Sequence, residues 1–326
     1  MFARSGAIMS DVSLIVLSYK SDAYIDRCLD ALVGFDAEII LADNGSPGFD
    51  AEAIRREYPS VTVLPFGENL GFAAGNNRAA ESAKGEWLGF INPDAFADAD
   101  WLEAMRRAIV KHPYVTMFTS LQIDAGDPAR LDGQGDGMTF FGFPYRAGYG
   151  HPLPAEIGMH DAFSPCGAAM LIRRDLFERL GGFDERFFCY CEDADLGFRA
   201  RLAGERCLFV PDARVAHIGS ATLGARSDFA LYHGYRNRIW LYVKNMPAPL
   251  LIVTLPVHIG LTLLGAIKDT LGGKGSIVWR AIGDALKGMG PIFRSREHIQ
   301  VKRQIGALRL AKALTWNPLK ILRRSL

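Results

Sequence analysis

The chain of 326 residues is long enough for one large domain with an appendage or for two domains. Its hydrophobic content of 49% and charged content of 22% are typical of a folded globular protein and argue against a disordered or collagen-like chain. The net charge of +1 gives no overall reason to expect a nucleic-acid partner. The charge is uneven, however, because residues 268–326 carry +10 and residues 1–267 carry −9.

The five cysteines are few and irregularly spaced, and the sequence contains no CxxC pair. This pattern argues against a disulfide framework and a zinc site, and it favours reduced thiols. The first 13 residues lack the apolar stretch of a secretory signal. We therefore expect a cytoplasmic protein.

The first 120 residues alternate between strand-like and helix-like segments. Apolar and β-branched runs predict strands at residues 12–19, 38–44, 61–66, 87–92 and 114–120. Helical spacing between the runs predicts the intervening helices, the third of which stops at Gly85. This alternation predicts an α/β fold with a doubly wound, mostly parallel, Rossmann-like sheet, in which ligands bind beyond the carboxyl ends of the strands. Asp43 and Asp94 both occupy such positions.

The rest of the chain changes character twice. Residues 121–165 are rich in Gly, Asp and Pro, which predicts a long functional or mobile loop. Residues 167–217 have the pattern strand, helix, helix, strand. After residue 226 the pattern is helical, and residues 245–267 contain no formal charge.

Seven short motifs follow one another along residues 12–245. They are DNGS at 43–46, ENLGFAAGNN at 68–77, NPDA at 92–95, GGFDERFF at 181–188, EDADL at 192–196, His217, and YRNR at 235–238. In order and spacing the series resembles the family 2 glycosyltransferases, particularly their rhamnosyltransferase-like branch. The resemblance implies a GT-A fold, a nucleotide-sugar donor, a divalent cation and inversion at the anomeric carbon.

The resemblance implies a donor site made of polar residues at strand ends and helix starts. These donor-binding residues are Ser18, Asp43, Asn69, Asn77, Asn92, Asp94 and Arg236. Asp43 could accept a hydrogen bond from a uracil or thymine base, Asn69 and Asn77 flank a glycine-rich helix start, and Arg236 suits a phosphate. From the residues alone, a turn-forming Asp43, helix-capping asparagines and a surface ion pair of Arg236 remain open.

The NPDA segment stands where the family has an Asp-x-Asp motif that holds a cation on the donor diphosphate. Because Asn92 replaces the first carboxylate, Asp94 is the one charged ligand that the motif retains, and Asn92 can offer an oxygen or bind the sugar. By position, the resemblance implies that His217 ligates the metal or contacts the diphosphate; a nitrogen beside a carboxylate and phosphate oxygens suits Mn²⁺ at least as well as Mg²⁺. A simple Asn-Pro turn and a structural histidine are the alternatives.

Three acidic residues, Glu192, Asp193 and Asp195, open a predicted helix, whose dipole stabilises negative charge. The resemblance makes Asp193 the base that deprotonates the acceptor hydroxyl, with Glu192 and Asp195 in support. The apolar residues at 187–191 could raise the pKa of a carboxyl group here. Residues two apart on a helix point to different sides, so Asp195 can instead pair with Arg199.

We predict a transferase domain followed by a helical, membrane-associating region. The predicted limits are 1–244 for the transferase domain, with a nucleotide-sugar part at about 12–120 and an acceptor and catalytic part at about 121–244, and 245–326 for the C-terminal region.

The uncharged segment at 245–267 approaches the roughly 20 residues that span a bilayer. Its internal prolines and His258 favour an interfacial or re-entrant helix over a simple span, and the basic tail favours anionic lipid. A buried core helix is the alternative. We expect peripheral association with the inner face of the cell membrane.

Together these features predict an inverting transferase in cell-surface polysaccharide synthesis. It would move a sugar from a dTDP, UDP or GDP sugar to a glycan or lipid-linked acceptor. Rhamnose is the first candidate for that sugar. A dinucleotide oxidoreductase is disfavoured because residues 16–22 contain no GxGxxG. A nucleotidyltransferase would need a glycine- and basic-rich phosphate loop, which the sequence lacks. A processive synthase would need a Gln-x-x-Arg-Trp motif, which the sequence also lacks. The open alternative is a non-catalytic nucleotide-sugar or glycan binding protein.

Overall fold

The computed structural model describes residues 11–219 and 227–325. Residues 1–10, which bear on the predicted absence of a signal, lie outside the described residues. The strands are β1 (Val12–Ser18), β2 (Glu38–Asp43), β3 (Val61–Pro65), β4 (Trp87–Ile91), β5 (Ala95–Ala97), β6 (Met117–Asp124), β7 (Leu131–Gly133), β8 (Asp136–Met138), β9 (Pro144–Arg146), β10 (His160–Ala162), β11 (Ala169–Arg173) and β12 (Cys207–His217).

The helices lie between the strands in the first part of the chain and follow one another in the last. They are α1 (Ile25–Leu32), α2 (Ala51–Glu57), α3 (Gly71–Ala80), α4 (Trp101–Lys111), α5 (Arg174–Leu180), α6 (Glu192–Leu202), α7 (Asp228–Asn245), α8 (Ala248–Asp269), α9 (Gly275–Lys287), α10 (Met289–Lys302), α11 (Ala307–Ala313) and α12 (Pro318–Leu322).

The main sheet has the strand order β10-β12-β6-β11-β4-β1-β2-β3, with β5 beside β12 and β7 beside β6. Strands β1 to β4 pair in parallel, as does β12 with β6. The predicted mostly parallel, doubly wound sheet is confirmed. Strand β11 lies antiparallel between β4 and β6, a position that the alternation of elements along the chain does not reveal.

Local sequence explains the central elements of the sheet. All seven residues of β1 are buried, as expected for a strand covered by helices on both faces. Helix α1 buries its apolar side toward the sheet. Helix α3 ends at Ala80, before the predicted stop at Gly85. Gly85 instead lies against β1, where a Cβ atom would come within 2.5 Å of the Ser13 nitrogen.

The segment at 121–165 contains more regular structure than the sequence predicts. Strand β6 continues to Asp124, and four strands of three residues each follow it. Strand β10 pairs with the distant β12 and β7 with β6, whereas β8 and β9 pair with each other in a separate two-stranded sheet. Strands of three residues are too short for periodicity to reveal them. This segment therefore extends the main sheet and adds a second, two-stranded sheet.

The C-terminal helices share a hydrophobic core with the transferase part of the chain. This core joins Phe198 of α6, Trp240 of α7, Ala285 of α9, Ile292 of α10 and Leu310 of α11. Helix α7 ends at Asn245, one residue beyond the predicted limit of 244. The region after 245 thus packs directly on the helix that carries Asp193.

Helix α8 exposes its apolar residues and buries its more polar ones. Its buried positions recur every four residues and are Thr254, His258, Thr262 and Ala266. Its large exposed apolar residues are Ile252, Val253, Val257, Ile259, Leu263, Leu264 and Ile267. Within the described residues, one helical stretch, Ala248–Lys287, is long and apolar enough to cross a membrane, and 22% of its most apolar window is buried. A buried core helix, which is the alternative considered from the sequence, would have most of this window buried.

Candidate functional site

A cavity of about 520 Å³ opens at the carboxyl ends of β1, β2 and β4. This is the size of site that holds a cofactor-sized molecule. The predicted site residues that line it are Asn69, Asn92, Asp94, Glu192, Asp193 and His217. The predicted residues that are not part of its lining are Ser18, Asp43, Asn77, Asp195 and Arg236.

Asp94 and His217 are brought together by the pairing of β5 with β12. In this register His217 lies opposite Ala95, and the Ile218 nitrogen donates to the Asp94 carbonyl oxygen at 3.0 Å. His217 Nε2 consequently lies 3.4 Å from Asp94 Oδ1. This nitrogen is buried and has no hydrogen-bond partner among the described residues. A carboxylate beside an available imidazole nitrogen is a donor set that fits a divalent cation.

Asp132 and Arg146 support His217 from behind. Asp132 Oδ2 lies 2.7 Å from His217 Nδ1 and 2.6 Å from Arg146 Nη1. Burial alone would raise the pKa of Asp132, but the hydrogen bond with His217 and the charge of Arg146 outweigh it and lower that pKa. Burial alone would lower the pKa of His217, but Asp132 and Asp94 outweigh it and raise that pKa. The bond from Nδ1 to Asp132 leaves Nε2 to face a ligand.

Two asparagines shape the opposite end of the cavity. Asn44 Nδ2 donates to Asn69 Oδ1 at 3.0 Å, and Asn44 Oδ1 accepts from the Leu70 N–H at 3.0 Å. Asn69 Oδ1 also accepts from the Gly71 N–H at 2.9 Å. Gly71 has a φ of +82° and lies against Phe188, so a side chain at this position would collide with that ring. Asn44 is not among the site residues predicted from the sequence, although it stands inside the DNGS motif.

Asp43 and Ser18 lie beneath this end of the cavity. The carboxylate of Asp43 accepts from the N–H groups of Gly45 and Ser46, each at 3.1 Å. This is the geometry of the turn-forming alternative. The Ser18 carbonyl oxygen accepts from the Asn44 N–H at 2.7 Å, so Ser18 holds the same turn through its backbone.

Asp193 lies in the first turn of α6. Its Oδ2 accepts from the Gly167 N–H at 2.9 Å, and its Oδ1 accepts from the Ala194 N–H at 2.7 Å. These two bonds, one from the residues before β11 and one from within α6, fix the orientation of the carboxylate. The adjacent Glu192 is buried, and its Oε2 has no hydrogen-bond partner within the described part of the chain. Burial, and then the charge of Asp193, raise the pKa of Glu192 well above its ordinary value.

Asp195 faces away from the cavity. Its side chain is fully buried and forms ion pairs with Arg199 at 2.8 Å and with Lys244 at 2.7 Å. Asn245 donates a further hydrogen bond to it at 2.7 Å. Asp193 and Asp195 therefore lie on different sides of α6, as helical geometry requires. The pair with Arg199 is the one considered from the sequence.

The segment at 188–191, immediately before Glu192, has an unusual backbone. Three of its four residues have φ between 64° and 71° without being glycine, and such conformations are held in place by their surroundings. Asn237 provides that support, because its Nδ2 donates to the carbonyl oxygens of Phe187, Cys189 and Tyr190, each at 2.8 Å. An amide from the YRNR motif thus fixes the chain that leads into the helix of Asp193.

Asn77 and Arg236 hold the same part of the chain from outside the cavity. Asn77 donates to the Phe183 carbonyl oxygen at 2.9 Å and accepts from the Phe183 N–H at 2.8 Å. Arg236 Nη2 donates to the Phe187 carbonyl oxygen at 3.0 Å, and its guanidinium lies over the Trp240 ring at 4.5 Å. Backbone carbonyl groups, and not a surface carboxylate, occupy the fork of Arg236.

The chain matches known sequence families over most of its length. The profile of "Glycosyl transferase family 2" matches residues 13–181, and that of "Glycosyl transferase family group 2" matches residues 140–279. The first match covers more than half of the chain, and the chain therefore belongs to the family 2 glycosyltransferases. It is a glycosyltransferase enzyme, which decides against the non-catalytic alternative.

Two curated relatives are rhamnosyltransferases by name. N-acetylglucosaminyl-diphospho-decaprenol L-rhamnosyltransferase of Mycobacterium tuberculosis is 28% identical over 268 residues, which are 69% of this chain and 82% of the relative. Rhamnosyltransferase WbbL of Escherichia coli K12 is 27% identical over 222 residues, which are 63% of this chain and 83% of the relative. The predicted resemblance to the rhamnosyltransferase-like branch is confirmed.

Solved structures share the fold. Staphylococcus aureus TarS 1–349 has a TM-score of 0.57 at 15% identity, over 90% of this chain and 87% of that one. GalNAc-T7 with UDP, GalNAc and Mn²⁺ has a TM-score of 0.57 at 16% identity, over 73% of this chain and 51% of that one. The predicted GT-A fold is confirmed.

Proposed function

We propose that the chain transfers a sugar from a nucleotide diphosphate donor to a hydroxyl group of a lipid-linked or glycan acceptor, with inversion, in cell-surface polysaccharide synthesis. The observation that supports this proposal is that Asp94 and His217, which could ligate a cation, line the same cavity as Asp193. Rhamnose is the first candidate for the sugar because both relatives described above are rhamnosyltransferases.

Asp94 and His217 would hold a divalent cation, Mn²⁺ or Mg²⁺. Such a cation neutralises the diphosphate as it becomes the leaving group. Two structures with the same fold, GalNAc-T7 and the Pyrobaculum calidifontis mannosyltransferase PcManGT, were solved with Mn²⁺, which supports a divalent ion. Asn92 lines the cavity next to Asp94 and can bind the sugar or the cation through its amide oxygen.

Asp193 would act as the base. The acceptor hydroxyl gives its proton to an Asp193 oxygen while the acceptor oxygen bonds to the anomeric carbon. The bond from that carbon to the diphosphate oxygen breaks, and the diphosphate leaves with the electron pair. The N–H groups of Gly167 and Ala194 hold the carboxylate of Asp193 in place, whereas burial favours the protonated form of Glu192. Asp193 is therefore the better base of the two.

The nucleotide would occupy the other end of the cavity. Tyr19, Asn44, Asn69 and Phe72 line that end and offer aromatic faces and amide groups to a base and a ribose. A contact between Asp43 and the base stays a prediction, and it competes with the turn hydrogen bonds that Asp43 makes.

A screen of donors tests this proposal. Purified protein is incubated with dTDP, UDP and GDP sugars and Mn²⁺, and free nucleotide diphosphate and the sugar product are measured by mass spectrometry. We expect one donor class to be hydrolysed slowly and to be turned over faster once an acceptor is supplied. Failure to release nucleotide from any of these donors would contradict the proposal.

We further infer peripheral membrane association through α8 and the basic tail. Helix α8 places apolar side chains outward, as a helix facing lipid does. Residues 268–326 carry +10, and each basic residue near anionic lipid contributes about 1 kcal/mol. The M. tuberculosis relative acts, by its name, on a diphospho-decaprenol carrier, and a lipid-linked acceptor would place this chain at the cytoplasmic face.

Flotation with anionic liposomes tests the membrane contact. We expect the full chain to float, and we expect the double change Ile252→Gln and Val253→Gln on exposed α8 positions to reduce the floating fraction several-fold. Val110→Gln with Tyr114→Gln, two exposed apolar positions of the transferase part, is the matched control and should float like the parent. A parent protein that stays in the dense fraction would contradict the inference.

A further inference from the structure

A second cavity, of about 490 Å³, adjoins the first one at Asp193. The two cavities share Arg146, Cys166, Tyr190, Cys191 and Asp193 in their linings. The second cavity is further lined by α7 and by Asp269, the last residue of the apolar helix α8. It therefore links the proposed base with the end of the helix that faces outward.

Arg238 lines this second cavity as a largely buried cation. Its guanidinium carbon lies 3.8 Å from the centroid of the Phe143 ring and 4.9 Å from that of Tyr235. Its Nε is buried without a hydrogen-bond partner among residues 11–219 and 227–325, and in these ranges it forms no salt bridge. Burial lowers the pKa of Arg238. A charge in such surroundings is costly unless an opposite charge meets it.

Among the other charged groups of the cavity, Asp269 acts on Arg238 through its charge, which opposes the effect of burial on the pKa of Arg238 but does not outweigh it. Asp269 accepts a hydrogen bond from the Tyr235 hydroxyl at 2.8 Å. Asp193 accepts hydrogen bonds from the N–H groups of Gly167 and Ala194. Asp136 is buried, and burial raises its pKa well above the ordinary value, which favours its neutral form. An anionic group of a ligand would complete the surroundings of Arg238.

Arg236 and Arg238 lie on different sides of α7. Residues two apart lie on different sides of a helix. Arg236 is held by the Phe187 carbonyl oxygen and by the Trp240 ring, whereas Arg238 lines the second cavity. Of the two arginines in the YRNR motif, Arg238 is thus the one available to a ligand.

We propose that the second cavity binds the acceptor, and that Arg238 binds a phosphate group through which the acceptor is attached to its lipid. The proposal rests on the proposed transferase function. The reacting hydroxyl would lie at Asp193, the phosphate at Arg238 and the lipid toward the end of α8. Asp193, Arg238 and Asp269 all line this cavity, and the planar fork of arginine suits phosphate oxygens.

Binding of farnesyl diphosphate, a short isoprenyl diphosphate, tests the assignment with farnesol as the neutral probe. EDTA is present so that the donor site cannot hold diphosphate through a cation. We expect the parent to bind farnesyl diphosphate at least about tenfold more tightly than farnesol. Arg238→Gln should weaken diphosphate binding about 10- to 100-fold and leave farnesol binding unchanged, as expected for loss of a charged hydrogen bond.

Two further variants sharpen the test. Arg238→Lys keeps the charge but not the fork and should fall between the parent and Arg238→Gln. Arg280→Gln is the matched control, because Arg280 also lies over a tyrosine of α7, at 5.2 Å from the Tyr232 ring, but is not part of the cavity lining. It should bind both probes like the parent. Nucleotide-sugar binding with Mn²⁺ shows whether each variant is folded.

Unchanged diphosphate binding by folded Arg238→Gln would overturn the assignment. A parent that does not distinguish the two probes would overturn it too, and diphosphate binding by Arg238→Lys equal to that of the parent would do so even if Arg238→Gln does not fold. A protein that binds farnesyl diphosphate through Arg238 but turns over no nucleotide sugar would retain the anion site and contradict the proposed transfer reaction. The two failures are therefore distinguishable.

Discussion

The two sides of the donor cavity stabilise their carboxylates in different ways. On the cation side, Asp94 and Asp132 surround His217, and Arg146 pairs with Asp132. On the base side, the neighbours Glu192 and Asp193 make no salt bridge in the part of the chain that the structure describes. Backbone N–H groups bind Asp193, and burial acts on Glu192.

Because of this difference, we expect one side of the cavity to respond to metal ions and the other to protonation. On the cation side, an imidazole nitrogen without a hydrogen-bond partner lies beside a carboxylate among the described residues. We therefore expect donor binding on this side to depend on a metal ion. On the base side, burial raises the pKa of Glu192, so this side depends on the proton that Glu192 binds. Changes of metal and changes of protonation should therefore separate the two sides.

The largest effect is expected from Asp193→Asn. The amide keeps the size of the side chain but cannot take a proton, so transfer should fall by about two to four orders of magnitude, the usual contribution of a general base. Donor affinity should stay near that of the parent, because the cation side is unchanged. Transfer rates and donor binding, measured in parallel, check this.

Asp195→Asn is the comparison for that experiment. It removes a buried charge that pairs with Arg199 and Lys244, so the main loss should be in the free energy of unfolding, by about 3 to 5 kcal/mol. A folded Asp195→Asn protein that binds donor but does not transfer sugar, together with an active Asp193→Asn protein, would reverse the assignment of the base.

The next largest effect is expected from Asp94→Asn. Loss of its charge should raise the Mn²⁺ concentration needed for half-maximal activity by more than the roughly 10- to 100-fold typical of a change behind a ligand. EDTA should abolish turnover of the parent. Full turnover in EDTA would contradict the cation proposal and would leave His217 and backbone dipoles to stabilise the leaving group.

A smaller effect is expected from Asp132→Asn. The carboxylate bonded to His217 Nδ1 orients the ring, so its loss should weaken Mn²⁺ affinity by about 10- to 100-fold and should be partly recovered at high Mn²⁺. Asp161→Asn, a change of an exposed carboxylate that pairs with Arg206, is the control and should leave the Mn²⁺ dependence unchanged. Equal Mn²⁺ dependence of Asp132→Asn and parent would show that Asp132 does not position His217.

The sequence predicts the features of this molecule that depend on local pattern. Apolar runs indicate the strands, and the ends of those strands place Asp94 at the correct edge of the sheet. Asp132 could not be found in this way, because it reaches His217 across 85 residues through the pairing of β7 with β6. Its segment, rich in glycine and aspartate, has the composition of a loop.

The different roles of the two arginines in YRNR could not be predicted from the sequence either. Helix α7 is buried on several sides, with Tyr235, Ile239, Trp240 and Leu241 all inside. A helix without one apolar side has no periodicity that fixes its rotation. The motif alone therefore does not show which of its side chains faces a cavity.

The smallest effect, which tests the protonation of the base side, is expected from Glu192→Gln. Burial raises the pKa of Glu192 in the folded chain, so the proton is bound more tightly there than in the unfolded chain. The resulting stability is fully present below the ordinary pKa of about 4.3 and is lost as the pH rises through the raised folded value. Glutamine cannot ionise and does not lose it.

The unfolding midpoint of Glu192→Gln should therefore equal that of the parent near pH 4 and exceed it increasingly toward pH 8. Each tenfold difference in proton affinity corresponds to about 1.4 kcal/mol. Urea unfolding at both pH values measures this, and Glu178→Gln, on the exposed side of α5, should show no such divergence. If Glu192→Gln were less stable than the parent at pH 8, the glutamate would be ionised and bound there, and both sides of the cavity would depend on ionised carboxylates.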